Sequence, residues 1–385
     1  MENEKKAIRV FSIAAFLNDL GHYMITPIWP AFITVVLGAP VSFLGMIDGL
    51  GEAMAALTKY PAGKWADQTK KKPLIAAGYL LPALARIGYA FTSKVALILP
   101  LNALDRIGKG VREPARDGLL TQSIPKQKRG ESFGILKAFD RAGAAAGPLV
   151  AFALFGILGY HNLILLAVIP SALAVVLIVL FVKETKKDGE IKKEKFEFNK
   201  MSANFKNAIW VSGIFGLSWF SISFMILYST QILNYSIAGI ALAVFIHTVL
   251  SSLASFYGGK LSDKLGRKKV LAFSMALFTL VCFGFILAST NNFPGLVFLL
   301  FGLNGLHYGM LIPLQNALVA DLSASHVASS AQGVYQFVFG ITAMIASILA
   351  GLIWDFILPI GIFYYGLLIS GIAIFLFAGW VHDGV

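Results

Sequence analysis

Along the chain, apolar runs of membrane-spanning length alternate with short stretches that hold most of the charge. Runs of about 20 apolar residues match α-helices crossing a hydrocarbon layer about 30 Å thick. Twelve such spans are predicted: 8–34, 42–61, 73–93, 95–120, 130–157 and 161–183, then 208–231, 237–258, 270–289, 294–319, 329–353 and 358–381. Between the two sets of six, the segment 184–207 is charged and lacks a long apolar run, so it reads as a linker. The pattern predicts an all-α membrane protein with one six-helix bundle at 1–183, a cytoplasmic linker at 184–207 and a second six-helix bundle at 208–385.

Composition narrows the class. The 385 residues are 57% hydrophobic and 14% charged. One soluble core of this length has no room for so much apolar surface. The net charge of +12 would suit a nucleic-acid partner, but its placement does not. Most of the 32 Lys and Arg fall in the N-terminus, the loops after spans 2, 4 and 8, and the linker, whereas Lys94 stands at the opposite face. That asymmetry is the positive-inside rule. It sets both termini in the cytoplasm, with the lipid bilayer of the cytoplasmic membrane as partner and no nucleic acid. Cys282 is the sole cysteine, which rules out an intramolecular disulfide and a cysteine-built metal site. The first apolar run, 8–37, is too long for a signal-peptide core and reads as a retained first span.

The two halves repeat. GKWAD at 63–67, trailed by Lys70, Lys71 and Lys72, is answered by GKLSDKLGRKK at 259–269. LNAL at 101–104 opens span 4 and LNGL at 303–306 stands in span 10, each followed by an alignable stretch, PARDGLL at 114–120 and PLQNALV at 313–319. An even number of spans per half makes the repeats parallel.

These residues resemble the major facilitator superfamily. Its loop motif, Gly-x-Leu-x-Asp-Arg-x-Gly-Arg-Lys, is nearly complete at 259–269, with Lys264 at the arginine position. The copy at 63–67 is degenerate: Trp65 replaces leucine and QTKKK replaces the tail. Arg106-x-x-Lys109-Gly110 looks like the family's Arg-x-x-Gln-Gly motif, and Gly143-x-x-x-Gly147-Pro148 is similar to the front of its antiporter motif. DRIGKGVREPARDGLL at 105–120 resembles an archaeal and bacterial branch of largely uncharacterised transporters carrying Asp-Arg-x-Gly-Lys-Gly-x-Arg, then Pro and Arg-Asp. The resemblance implies two parallel six-helix bundles, with spans 1, 4, 7 and 10 lining a central pathway and the motif loops acting as cytoplasmic gates. Gly63, Asp67, Gly259, Asp263, Gly266 and Arg267 are the gate residues it implies, each aspartate meeting a helix N-terminus or arginine of the opposite half. It implies no cofactor.

Span 4 carries the densest chemistry. Asp105, Arg106, Lys109, Arg112, Glu113, Arg116 and Asp117 fall within an arc of about 140° on a helix. Charges at that depth must face one another or a water-filled cavity. They form either a structural ion-pair ladder, which Arg116 and Asp117 near the cytoplasmic end fit best, or a cationic lining to which Arg106 and Lys109 belong. Asp19 and His22, three apart near the middle of span 1, suit a proton relay or a satisfied polar pair. Span 5 places Lys137, Asp140 and Arg141 on one stripe, where Asp140 is expected to pair with Arg106 or Arg141. Gly143, Gly147 and Pro148 are expected to let helices approach closely. Arg86 is expected to pair with Asp48 or Glu52.

Past Lys269 there is no Lys, Arg or Glu, and polarity comes from residues such as His247, Asn304, His307, Tyr308, Gln315 and Tyr335. His247 reads as a core histidine, while Asn304 and His307 are candidate solute contacts. Rings on span 7 (Trp219, Phe220, Phe224, Tyr228) opposite the cations suit a small anionic or amphipathic solute. No P-loop (GxxxxGK[ST]) or HExxH pattern occurs, which argues against an ATP motor and a zinc enzyme within this chain. The expected function is secondary active transport by a monomer, coupled to protons and tilted toward export. The alternatives are uptake of an anionic solute with protons, a membrane-embedded enzyme and a channel.

Overall fold

The computed structural model describes residues 2–123, 129–182, 201–290, 293, 295–323 and 328–381. Helix α1 (Glu2–Ile25) runs to Pro27, whose missing amide interrupts the ladder. A short α2 (Trp29–Ala31) and a π-helical stretch, Phe32–Val36, continue it to Gly38, a positive-φ turn. Then come α3 (Val41–Gln68), α4 (Lys71–Phe91), α5 (Val95–Ser123) and α6 (Arg129–Phe181). The second half has α7 (Ala203–Ser218), α8 (Ile222–Gln231), α9 (Ile237–Leu265), α10 (Arg267–Thr290), α11 (Leu296–Asp321), α12 (Ala328–Phe356) and α13 (Gly361–Trp380).

Two departures from the apolar pattern concern helix ends. The motif residues at 63–67 and 259–263, expected in loops, are the last turns of α3 and α9. A hydrophobic span ends where lipid ends, but helical hydrogen bonding continues into water until a breaker appears. Here the breakers are the turn at 69–70 and Gly266, whose φ of 92° suits glycine. The second departure is inside span 7, which is broken at 219–221 with neither proline nor glycine at the break. Serine supplies the alternative bonding. Ser221 Oγ accepts from Ser223 N at 3.2 Å, and Tyr365 Oη donates to the Leu217 carbonyl at 2.5 Å. Helix α6 turns at Gly159 (φ 68°, ψ −169°), as it must. Fifty-three continuous helical residues would run about 80 Å, far beyond one membrane crossing.

Among the described residues, nine helical stretches are long and apolar enough to cross a membrane, and no strand occurs. Ser132–Phe181 counts once in that set despite its turn at Gly159. Helix α5 stands outside it because of the seven ionisable residues from Asp105 to Asp117.

The chain forms two compact units. The first comprises Met1–Ala39, Leu50–Glu190 and Ser236–Phe245; the second comprises Pro40–Gly49, Ile191–Tyr235 and Ile246–Val385. In the first unit Phe11, Ala15, Ile75, Tyr79, Leu119 and Leu136 share one core cluster. Helices α1 and α6 touch backbone to backbone there. A Cβ on Gly143 would stand 2.2 Å from the Phe16 carbonyl oxygen, and one on Gly147 2.7 Å from Met24 N. Neither Gly143 nor Gly147 has room for a side chain at this contact, and Pro148 beside them is buried. In the second unit Gly305 and Gly309 do the same for α11 against His247 and Ser251 of α9.

Candidate functional site

The ionisable side chains of α5 meet partners from α1, α3, α4 and α6, all within the first unit. Arg106 Nη1 lies 2.8 Å from Glu52 Oε1 of α3, and Lys59 Nζ of α3 lies 2.9 Å from Glu113 Oε2. Nearer the end of α5, Arg116 bonds Asp117 at 2.9 Å and reaches Asp140 of α6 at 3.8 Å, while Lys137 Nζ holds the other Asp140 oxygen at 3.2 Å. Close backbone contact builds this arrangement: a Cβ on Gly110 would lie 2.8 Å from the Ala55 carbonyl, and one on Gly51 2.6 Å from Asn102 Oδ1.

One cation is different. Arg112 is 6% exposed, with its guanidinium carbon 4.6 Å above the Tyr79 ring. Its Nε and Nη1 meet no hydrogen-bond partner among the described residues. The aromatic face stabilises the charge from one side only, so two strong donors are left to whatever the protein admits. Asp19 stands in the field of Asp140, Arg112 and Lys109 and accepts from Asn18 Nδ2 at 3.1 Å. His22 feels the charges of Arg106, Arg86 and Lys109. The first unit therefore gathers Asp19, His22, Arg106, Lys109, Arg112 and Asp140 into one electrostatically linked set. Such a set can hold an anionic group and exchange a proton with a carboxylate.

The second unit has a neutral counterpart. Trp219, in the break between α7 and α8, stacks on Tyr308 (centroids 5.6 Å apart) and lies 5.2 Å from Phe339. His247, 5.7 Å from the Tyr308 ring, is 3.4 Å from Asn304 Nδ2 through its Nδ1. Rings and an amide carboxamide beside an interrupted helix can bind an organic body without charge.

At the C-terminal end of α9, Arg267 pairs with Asp263 at 3.4 Å and with Asp321 at the close of α11, while Lys268 Nζ donates to the Ala378 carbonyl at 2.7 Å. The sequence pattern of the Major Facilitator Superfamily matches residues 11–229 and again 208–384. The chain belongs to the major facilitator superfamily. It is 31% identical over 378 residues to an uncharacterised major-facilitator-type transporter of Methanocaldococcus jannaschii, covering 95% of this chain and 93% of that one. It is 24% identical over 337 residues to a multidrug resistance efflux pump of Streptococcus pneumoniae, covering 83% and 82%. The crystal structure of a nucleoside transporter superposes with a TM-score of 0.82 at 14% identity over 98% and 100% of the two chains, which speaks for the fold alone.

As a major facilitator protein the chain is a multi-pass membrane transporter, and several residue expectations need correction. Asp140 pairs with Arg116 and Lys137, not with Arg106 or Arg141; Arg106 is turned instead to Glu52 of α3. Arg141 is half-buried and takes no ion pair among the described residues. Arg86 donates to Ser171 of α6 rather than to Asp48 or Glu52, because Ser171 faces it within hydrogen-bond reach. Asp19 and His22 share a face but no hydrogen bond, the carboxylate being turned to Asn18. His307 is fully buried, its Nδ1 at 2.7 Å from the Ser274 carbonyl and its ring enclosed by Phe215 and Phe278, so it serves packing of α11 on α10. Asp263 is met by Arg267 of its own motif. Gly63 makes ordinary contact with Pro114, Gly259 faces open space, and the Asp67 side chain lies outside the described residues.

Several partner choices went unread in the sequence. Glu52, expected to face Arg86, pairs with Arg106, and Tyr79 lies under Arg112; only packing reveals which acid or ring faces which cation. Asp321 and Asp355 had a signal: each is a rare acid in a half otherwise empty of charge beyond Lys269.

Proposed function

We propose that this chain crosses the cytoplasmic membrane twelve times with both termini inside. In this reading it moves a small anionic or amphipathic organic solute outward by alternating access, in exchange for protons. The observation that carries the proposal is Arg112: a buried, permanently charged side chain with two donors unmet among the described residues, in the field of the acid Asp19. Keeping such a charge unpaired away from water is unfavourable unless something else answers it. A solute carboxylate or phosphate would answer it, and protonation of Asp19 and Asp140 would change how strongly the site holds that anion. Arg106 and Lys109 of the same unit add positive field, and in the second unit Asn304 and the rings at Trp219 are suited to an uncharged organic body. Asp67, Asp263, Gly266 and Arg267 act as the cytoplasmic gate. The efflux-pump relative supports the outward direction.

The test is a thermal-shift screen of purified protein against small carboxylates, organic phosphates and amphipathic anions, with organic cations alongside. A ligand raises the melting temperature in proportion to its occupancy of the folded state. Hits among anions that vanish in Arg112→Ala support the reading; hits confined to cations overturn it.

A further inference from the structure

The first turns of α3 are fastened to α12 by contacts that the solute site does not use. Both carboxylate oxygens of Asp355, near the end of α12, accept from the opening amides of α3: Oδ1 from Val41 N at 3.1 Å and Oδ2 from Ser42 N at 2.7 Å. Those amides have no acceptor within their own helix, and a carboxylate there also meets the positive end of the helix dipole. Along the next turns the two backbones touch. A Cβ on Gly351 would stand 2.6 Å from Ser42 Cα, one on Gly45 2.2 Å from the Ser347 carbonyl oxygen, and one on Gly49 2.8 Å from that of Met344. The α7–α8 break joins the same seam: Ser221 Oγ donates to Asp48 Oδ2 at 2.7 Å, and Ser221 N donates to Ser347 Oγ at 3.2 Å.

Helix α3 is also divided. Its residues up to Gly49 belong to the second unit, and those from Leu50 onward to the first. Glycine stands on each side of the division, Gly49 against Met344 and Gly51 against Asn102. A helix with glycine on both sides of the crossover bends there at low cost. The seam can part at its outer end: contact there is between small residues, and the anchor Asp355, unlike the buried Asp48 deeper in the seam, is exposed, so water replaces the two amides when the pairing opens.

We propose that Asp355 is a releasable latch. While its carboxylate caps α3, the seam stays shut at the membrane face away from the basic loops; when the cap is lost, the first turns of α3 swing off α12 about Gly49 and Gly51. The inference rests on the alternating-access reading, in which that face must open once per cycle.

A cysteine at Ser347, which is 4% exposed, reports the seam directly. In a Cys282→Ser background, Ser347→Cys is treated with a membrane-impermeant maleimide from each side of sealed vesicles. Adding Asp355→Ala is expected to raise labelling from the face away from the basic loops by about tenfold, as the loss of two charge-assisted hydrogen bonds implies. Asp355→Asn, which keeps one acceptor, falls between. A second reporter, Ser274→Cys on α10, stays unlabelled throughout. Unchanged labelling at Ser347→Cys in both variants overturns the latch, as does a parallel rise at Ser274→Cys, which would mean general loosening. If Asp355→Ala fails to fold, the Asn variant decides. No solute enters the experiment, so a failed transport assay and a failed latch remain distinguishable.

Discussion

Arg112 lies with its guanidinium over the Tyr79 ring at 4.6 Å while Nε and Nη1 find no acceptor in the described protein. A side chain fixed on one face and unmet at its edge is poised for a planar anion, because guanidinium donors match carboxylate and phosphate oxygens in pairs. Its neighbours on α5 are already answered, Arg106 by Glu52 and Arg116 by Asp117 and Asp140. Arg112 differs from these two in having both Nε and Nη1 without an acceptor among the described residues.

Arg112→Ala separates these roles. Removing an unpaired buried charge should leave the melting temperature of solute-free protein unchanged or raise it, since such a charge destabilises by about 2–3 kcal/mol on membrane insertion scales. The same variant should lose the thermal response to anions. A fall in melting temperature comparable to that of Arg116→Ala would instead make Arg112 a structural residue.

The Arg106–Glu52 pair should behave as a modest tie between α5 and α3. The Glu52 side chain is 56% exposed, so a double-mutant cycle of Arg106→Gln and Glu52→Gln should give a coupling of about 0.5–1 kcal/mol, shrinking in high salt. Coupling beyond that range, insensitive to salt, would show the pair to be dry.

Gly143→Ala should force α1 from α6, since its new methyl would meet the Phe16 carbonyl. The expected loss is about 1–3 kcal/mol, the usual range for overpacking. Gly156→Ala, on the same helix with open space around it, should be neutral. Equal melting temperatures for the two variants would contradict the close approach.

His307→Ala should lower stability and spare function. The ring is enclosed by Phe215 and Phe278, so truncation leaves a cavity costing roughly 2 kcal/mol or more, with anion affinity unchanged. A selective loss of solute response at unchanged stability would return His307 to the site.

The repeat GKWAD/GKLSD and the apolar, all-helical character of the chain were legible because each is a local signal: motif spacing and hydropathy period. Family membership followed from those same residues. Partner choice was not legible. Arg86 could face Asp48, Glu52 or Ser171 with equal sequence warrant, and the helix rotation that selects Ser171 is a property of packing. Asp140 illustrates the same limit: its stripe with Lys137 was readable at i, i+3, but Arg116 comes from another helix. The break at Trp219 escaped notice because serine, not proline, makes it. His307 looked like a candidate contact from its place on span 10, yet its ring packs between Phe215 and Phe278, whereas Asn304 and Tyr308 on the same helix share the aromatic cluster.

Proton-for-solute exchange is the claim on which the rest depends, and Asp140→Asn in sealed proteoliposomes tests it most directly. With an anion identified by thermal shift loaded inside, an inward proton gradient should speed its exit from vesicles carrying the unaltered protein, and internal acidification should accompany that exit. Asp140→Asn should keep exchange of labelled for unlabelled anion but lose both the acceleration and the acidification. Gradient-driven exit undiminished in Asp140→Asn would remove Asp140 from the coupling, and exit indifferent to the gradient in the unaltered protein would contradict proton coupling altogether.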